Sequence, residues 1–297
     1  MKRLFLLLFL LALGWVVWIF SSGLPRRVTT IVVGDPMRVA SWDEERSELT
    51  VVEIPPHTVV EAIGGYGQYE LRALWELGEI ENRGGAVLAL SAEEALGVPV
   101  QYFLSPPTTT ADGRAAFQFT SLPNVLAGSI RTNMPISTYM GLAWRFLFLR
   151  PDHINTLTLT LSRGLSQTSQ PDGTTRLELD PNEADILMGS SFEDEEVRRE
   201  AYSVAVYNTT SFASLGTRVA RLLSHLGYLV VTVANDEPVV ERCEVRAAGS
   251  LAGSVSVRLL RDVLRCDLVA DDTAKRADIV LRVGTFYAKR FLPGYSP

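Results

Sequence analysis

The sequence predicts an α/β protein in three parts: an N-terminal transmembrane helix, a mixed-sheet α/β domain and a small βαββαβ-type α/β domain. Three observations predict it. An unbroken apolar run opens the chain, short β-branched segments then alternate with helical spacing, and the last third runs strand–helix–strand with clear stop signals. The boundaries fall at residues 1–24, 25–198 and 199–297. With 297 residues, 47% hydrophobic and 21% charged, the chain has ample material for a sizeable core. Its mean hydropathy of +0.14 comes almost entirely from residues 1–20, which leaves a body near zero, as in a soluble protein. The apolar fraction excludes a disordered chain. A net charge of −6, with no recognisable DNA-reading motif, argues against nucleic acid as a partner.

Lys2 and Arg3 precede the apolar run, residues 4–20, LFLLLFLLALGWVVWIF. Its length is at the lower end of the transmembrane range, and Trp15 and Trp18 suit a membrane–water interface. A cleavable signal peptide would end in an A-x-A-like site, and SSGLPRR offers only a weak version. The run therefore reads as an uncleaved anchor rather than a signal peptide or a buried core helix. Arg26 and Arg27 offset Lys2 and Arg3 under the positive-inside rule, but so few residues precede the run that the body is placed on the extracytoplasmic side.

After the anchor, VTTIVV and ELTVVEI read as strands joined by a polar connection containing SWDEERS. Gly64-Gly65-Tyr66-Gly67 reads as a turn, since it lacks the spacing of a phosphate-binding loop. YELRALWELGEIE has helical spacing, and AVLALSAEEALG is a second helix stopped by Gly97 and Pro99. VPVQYFL is a strand, and residues 105–125, rich in Ser, Pro, Thr, Asp and Gly, form an irregular excursion. ISTYMGLAWRFLFLR is an apolar helix, too short and too interrupted by arginine for a second span. TLTLTL is a strand, and SQTSQPDGTT a polar hairpin or loop. The acidic FEDEEVRRE stretch is a solvated linker or helix start rather than a cation site.

In the final unit VAVYNTT is a strand, Ser211 is placed to cap a helix carrying Phe212, Leu215, Val219, Leu222 and Leu226, and Gly227 ends it. YLVVTVA, EVRAA, the helix SVSVRLLRDVL, DLVA and ADIVLRVG follow. Cys243 and Cys266 each precede a strand flanking that helix, so both sulfurs lie at one end of the sheet. In an oxidising compartment they form a disulfide; the alternative is two buried thiols. Arg258, Arg261 and Arg265 make a basic stripe on the helix, either a solvated face or a contact for an anionic polymer. Asn208-Thr209-Thr210 matches a glycosylation acceptor but reads as a turn.

This unit resembles the LytR C-terminal domain of LytR–CpsA–Psr cell-envelope proteins. Val204-Ala205-Val206-Tyr207-Asn208-Thr209-Thr210 is similar to that domain's opening V-x-V-x-N-G-T. Leu226-Gly227-Tyr228 and Ala277-Asp278-Ile279-Val280-Leu281-Arg282-Val283-Gly284 continue the likeness over residues 203–288. Residues 25–198 resemble a reduced LytR–CpsA–Psr domain. Glu53-Ile54-Pro55-Pro56-His57-Thr58 stands where that family has S-I-P-R-D-T, and Tyr66 to Gly78 where it has Y-G-x-D-K-I-N-A-A-Y-x-x-G. Ala92 to Val100 resembles V-E-x-L-L-G-I-P-I, and Thr132-Asn133 a late T-N-L.

The resemblance implies a bacterial membrane protein that handles lipid-pyrophosphate-linked glycans destined for peptidoglycan. Transfer of such glycans needs arginines on the phosphates and an acidic residue on magnesium. Here the signature arginine is Pro56, its aspartate is His57, the family lysine falls at Glu70, and an early R-x-D aligns near Thr29 and Thr30. Each lost charge-assisted contact is worth about 1.5–3 kcal/mol. The expectation is therefore a non-catalytic role, without cofactor, binding wall polymer, lipid-linked precursor or an envelope protein. The alternative is a divergent phosphotransferase with magnesium, using Arg72, Arg131 or Arg145. It requires those arginines to converge with a carboxylate on an apolar tunnel. His57 as a base beside Glu53 or Glu61 lacks an evident nucleophile.

Overall fold

In the computed structural model, which describes residues 23–105, 122–171, 173–271 and 277–292, the described residues build three sheets. Strands β1 (Arg27–Val32), β2 (Met37–Asp43) and β3 (Glu48–Ile54) form an antiparallel meander. β6 (Tyr102–Ser105) joins parallel to β1, β8 (Ile154–Thr158) parallel to β3, and the short β7 (Arg131–Thr132) antiparallel to β6. A second sheet has the order β5-β4-β10-β9, from β4 (Thr58–Ala62), β5 (Gly67–Glu70), β9 (Leu165–Ser169) and β10 (Thr175–Leu179).

The six-stranded sheet is covered on both faces, which is why β1 is buried throughout. Helices α1 (Ala73–Ile80) and α2 (Ala86–Leu96) bring Leu74, Val87, Leu88 and Leu96 into one core with Ile31, Val39 and Val52. Gly97 ends α2 in the left-handed region, φ +65°, as its sequence position predicts. After α3 (Leu122–Leu126), α4 (Ile136–Leu147) packs Tyr139 and Leu142 with Val28, Trp42 and Leu104 on the opposite face.

Helices α5 (Pro181–Phe192) and α6 (Glu195–Glu200) lead to the third sheet, ordered β12-β11-β15-β13-β14. Its strands are β11 (Ser203–Asn208), β12 (Leu229–Asn235), β13 (Glu244–Ala247), β14 (Asp267–Ala270) and β15 (Ile279–Val283). α7 (Leu215–His225) and α8 (Val255–Leu264) bury Leu215, Val219, Leu222, Val257 and Leu260 against Val204, Val206, Val245 and Leu281. The short α9 (Thr285–Lys289) follows. The predicted βαββαβ order with an added last strand is present. Cys243 and Cys266 sit one residue before β13 and β14, whose parallel register pairs Glu244 with Asp267, and they are bonded, with Cα atoms 4.7 Å apart.

The two halves meet where α7 crosses the end of α2. Arg221 donates to the carbonyls of Glu94 and Ala95 at 2.7 and 3.0 Å, and the His225 ring donates to that of Gly97 at 2.9 Å. Free carbonyls and the negative end of the helix dipole favour such donors. Glu93 accepts from Arg290 at 2.6 Å beside them.

Several expectations are corrected. The connection predicted between the first two strands contains β2, whose polar Arg38, Ser41 and Asp43 are buried because Glu53, Thr29 and Arg27 partner them. β4 and β5 form a hairpin around the Gly64–Gly67 turn, so the helix read from Tyr69 begins only at Ala73. α5 occupies a stretch for which no element was predicted. Asp194 does start a helix, accepting from the Glu196 and Val197 amides, but it is buried rather than solvated. Ser211 caps nothing: α7 starts later, with Ser214 at the cap position and no side-chain bond. By contrast, the polar SQTSQPDGTT segment, read as a hairpin or loop, needs no correction: it belongs to the β9–β10 hairpin. The apolar run 4–20 and residues 106–121 of the excursion lie outside the described residues, among which no helix is long and apolar enough to cross a membrane.

Candidate functional site

An apolar cleft of about 500 Å³ opens where α1, the turn before α2, β6 and the α3–α4 connection converge. Trp75 from α1 and Phe103 from β6 meet edge to face, ring centroids 5.6 Å apart, and form its wall. Gly85 makes this possible: a Cβ there would lie 2.5 Å from both rings. Ile130 and Met134 extend the lining, and Leu126 and Ile136, 70% and 40% exposed, stand at the mouth. The polar content is small. Arg131 on β7 is ion-paired to Glu79 on α1, and both line the cleft. Thr132 fixes this edge, its hydroxyl donating to the Phe103 carbonyl at 2.6 Å and accepting from the Met134 amide at 3.0 Å. Asn133 accepts from the Phe103 amide at 3.0 Å, so the Thr132-Asn133 pair has a structural task.

The arginines named from sequence stand in three different places, each held by its own carboxylate. Arg131 borders the cleft with Glu79. Arg145 binds Glu44 bidentately in an aromatic hollow beside Trp42 and Trp144. Arg72 lies on the surface, 2.7 Å from Glu70, which also faces His57 at 3.4 Å. Arg72 and His57 hold the Glu70 carboxyl below its ordinary range against the upward push of desolvation. His57 thus pairs with Glu70, while Glu53 is taken by Arg38 and Thr158. Arg258, Arg261 and Arg265 are exposed along α8 and its C-terminal cap. Asn208 is buried and spends its side chain on Thr210 and Phe212, which supports its reading as a turn.

Two features escaped the sequence. The cleft draws Trp75, Phe103 and Met134 from separate elements, and no linear motif marks that. Arg83, read only as part of a turn, is 6% exposed, and all three of its guanidinium nitrogens lack a hydrogen-bond partner among the described residues. Among the described residues, no group of three or more His, Cys, Asp or Glu side chains is placed to hold a metal ion.

The third sheet and its helices carry the signature that a family comparison finds. Residues 201–287 match LytR_C, the LytR cell envelope-related transcriptional attenuator family. The predicted likeness over residues 203–288 therefore holds for this unit. No curated protein matches the chain. Among solved structures, the transcriptional regulator yvhJ from Bacillus subtilis aligns with TM-score 0.43 and 13% identity, over 55% of this chain and 94% of that one. TagT of B. subtilis aligns with TM-score 0.39 and 12% identity, over 55% and 88%. The LytR-CPS2A-psr family protein YwtF (TagT) with bound octaprenyl pyrophosphate lipid aligns with TM-score 0.39 and 13% identity, over 55% and 87%.

Proposed function

We propose that this protein is a membrane-anchored, extracytoplasmic LytR–CpsA–Psr-like protein that binds a lipid-linked precursor in envelope assembly or maintenance without transferring it. The apolar cleft with a single ion pair at its edge carries this reading. Its aromatic and aliphatic lining suits a polyprenyl chain, and one arginine already bound to a carboxylate is a weak phosphate clamp. The departures at Pro56, His57 and Glu70 point the same way. The phosphotransferase alternative needed Arg72, Arg131 and Arg145 together, and their separate partners leave it with Arg131 alone. Exposed Arg258, Arg261 and Arg265 remain available to an anionic wall polymer.

The test uses the full chain in detergent or nanodiscs with a polyprenyl pyrophosphate as probe. Quenching of tryptophan fluorescence by the bound probe is expected, and Ile136→Glu, which puts a charge at the mouth, abolishes it. Absence of binding to the unmodified chain refutes the reading. Turnover of a lipid-pyrophosphate glycan with magnesium, lost in Arg131→Ala, would establish the enzyme instead.

A further inference from the structure

The end of helix α4 carries a partly exposed apolar surface. Trp144, Leu147 and Phe148 are 41%, 61% and 64% exposed, and the Trp144 and Phe148 rings touch, with centroids 5.0 Å apart. Spacings of three and four residues put them on one side of the helix end, as a contiguous patch rather than scattered side chains. The charges around it are matched. Arg145 is bound to Glu44, Arg150 lies 3.5 Å from Asp152, and the His153 ring donates to the Ser47 carbonyl. The patch is therefore apolar without a net basic field.

What stands opposite follows from where the chain enters the fold. Leu24 packs in the notch left by Gly141 on α4, so closely that a Cβ there would lie 2.9 Å from Leu24 Cδ2. Phe20, the last residue of the apolar run, is four residues earlier, a reach of at most ~14 Å even when fully extended. Trp144 and Phe148 lie three and seven residues beyond Gly141 along the helix, about 5 and 10 Å at the helical rise. The exposed aromatic end is thus held within a short tether of the end of the apolar run 4–20.

We propose that the Trp144–Leu147–Phe148 end of α4 lies in the headgroup region of the bilayer that holds residues 4–20, and so fixes the orientation of the body on the membrane. Tryptophan and phenylalanine on one side of an amphipathic helix suit that interface. The inference rests on the anchor in the function proposed above. Because the surrounding charges are matched, contact is driven by apolar burial and needs no anionic lipid.

Both cysteines of the chain are in the disulfide, so a single introduced thiol can be labelled cleanly. Full-length protein is reconstituted in phosphatidylcholine nanodiscs with a spin label at Phe148→Cys, Leu10→Cys in the anchor, or Ile186→Cys, the last on exposed α5. At position 148 the expected result is a several-fold loss of accessibility to an aqueous nickel relaxant relative to 186, with a gain in accessibility to oxygen. A label at 148 as exposed to nickel as that at 186, while 10 is shielded, overturns the proposal and leaves the anchor standing. Exposure of 10 overturns the anchor and the proposal together. Shielding of 148 that requires anionic lipid assigns the contact to the arginines and also overturns it.

Discussion

Arg26 reaches Asp194 across 168 residues of sequence, Nε lying 2.7 Å from Oδ2 and Nη2 3.1 Å from Oδ1. The first strand's entry is thereby tied to the cap of α6, whose Val197 belongs to the core of the C-terminal unit. Glu45 and Glu196 bind the same guanidinium. Asp194 is 1% exposed, so removing its cation leaves a buried charge unpaired.

Arg26→Ala should therefore destabilise the chain by about 3 kcal/mol in urea unfolding, the scale of a broken buried pair. Desolvation pushes the Asp194 carboxyl up, but the Arg26 bond, the Val197 amide and the arginine charges outweigh it and hold it below 3.8. A depressed carboxylate stabilises the fold above its ordinary value, and that stability is lost as pH falls below about 4. Arg26→Ala should weaken this acid transition. An unchanged urea midpoint at neutral pH would dismiss the pair as a surface contact.

His225 gives the interface between the halves a pH dependence of its own. Burial lowers its pKa from 6.5, outweighing the Gly97 carbonyl and the Asp185 carboxylate. The unfolded chain then binds the proton more readily, so stability is complete above pH 6.5 and declines as pH falls through the folded value. His225→Gln keeps a donor for Gly97 and should flatten the loss of thermal stability between pH 7 and 5. An equally steep profile in the variant would assign the effect to another group.

Where the sequence was legible, one physical signal dominated. α8, and α7 apart from its start, read correctly because each buries one clean apolar stripe, and Gly97 and Gly227 end α2 and α7 in left-handed conformations. β2 was hidden because its buried Arg38, Ser41 and Asp43 find side-chain partners on neighbouring strands, and alternation counts them as polar loop residues. α5 was hidden because it buries only Ala184, Met188 and Phe192 while Ile186 is 72% exposed. The candidate site was the least legible part. Its aromatic wall requires Gly85 to admit two rings from elements far apart in sequence, a relationship that exists only after folding.

Arg83 is a buried cation in the front unit whose guanidinium nitrogens make no well-formed hydrogen bond among the described residues, although the Tyr66 hydroxyl lies close enough to feel its charge. Replacing a buried, unpaired charge by an apolar group of similar length removes a desolvation penalty. Arg83→Met is expected to raise the urea midpoint, by roughly 1 kcal/mol or more in stability. A destabilised variant would mean that water or an anion satisfies the guanidinium.

The ion pair at the cleft predicts a separation of lipid tail from phosphate. Arg131→Gln should weaken binding of a polyprenyl pyrophosphate by about tenfold, the loss of one charge-assisted contact. Binding of the corresponding polyprenol should stay unchanged, because Trp75, Phe103 and Met134 are untouched. Glu79→Gln frees the guanidinium and should strengthen binding of the pyrophosphate only. Parallel changes for alcohol and pyrophosphate would place the phosphates elsewhere.

The disulfide is the last test, and it probes compartment as well as stability. Cys243 and Cys266 are 23 residues apart and clamp the starts of two paired parallel strands. Closing a loop of this size restricts the unfolded chain by about 3 kcal/mol in the entropy model. Both cysteine residues are 5% exposed, so a Cys243→Ser, Cys266→Ser chain adds two hydroxyls to an apolar site, whereas Cys243→Ala, Cys266→Val does not. The Ala/Val chain should lose about 3 kcal/mol against the oxidised protein. Against the reduced protein it should lose far less. Thiol trapping in intact cells then reads the compartment: if the chain is exported, as proposed, it is blocked to alkylation until reduced. Ready alkylation of both cysteines in the native cell would contradict an extracytoplasmic body.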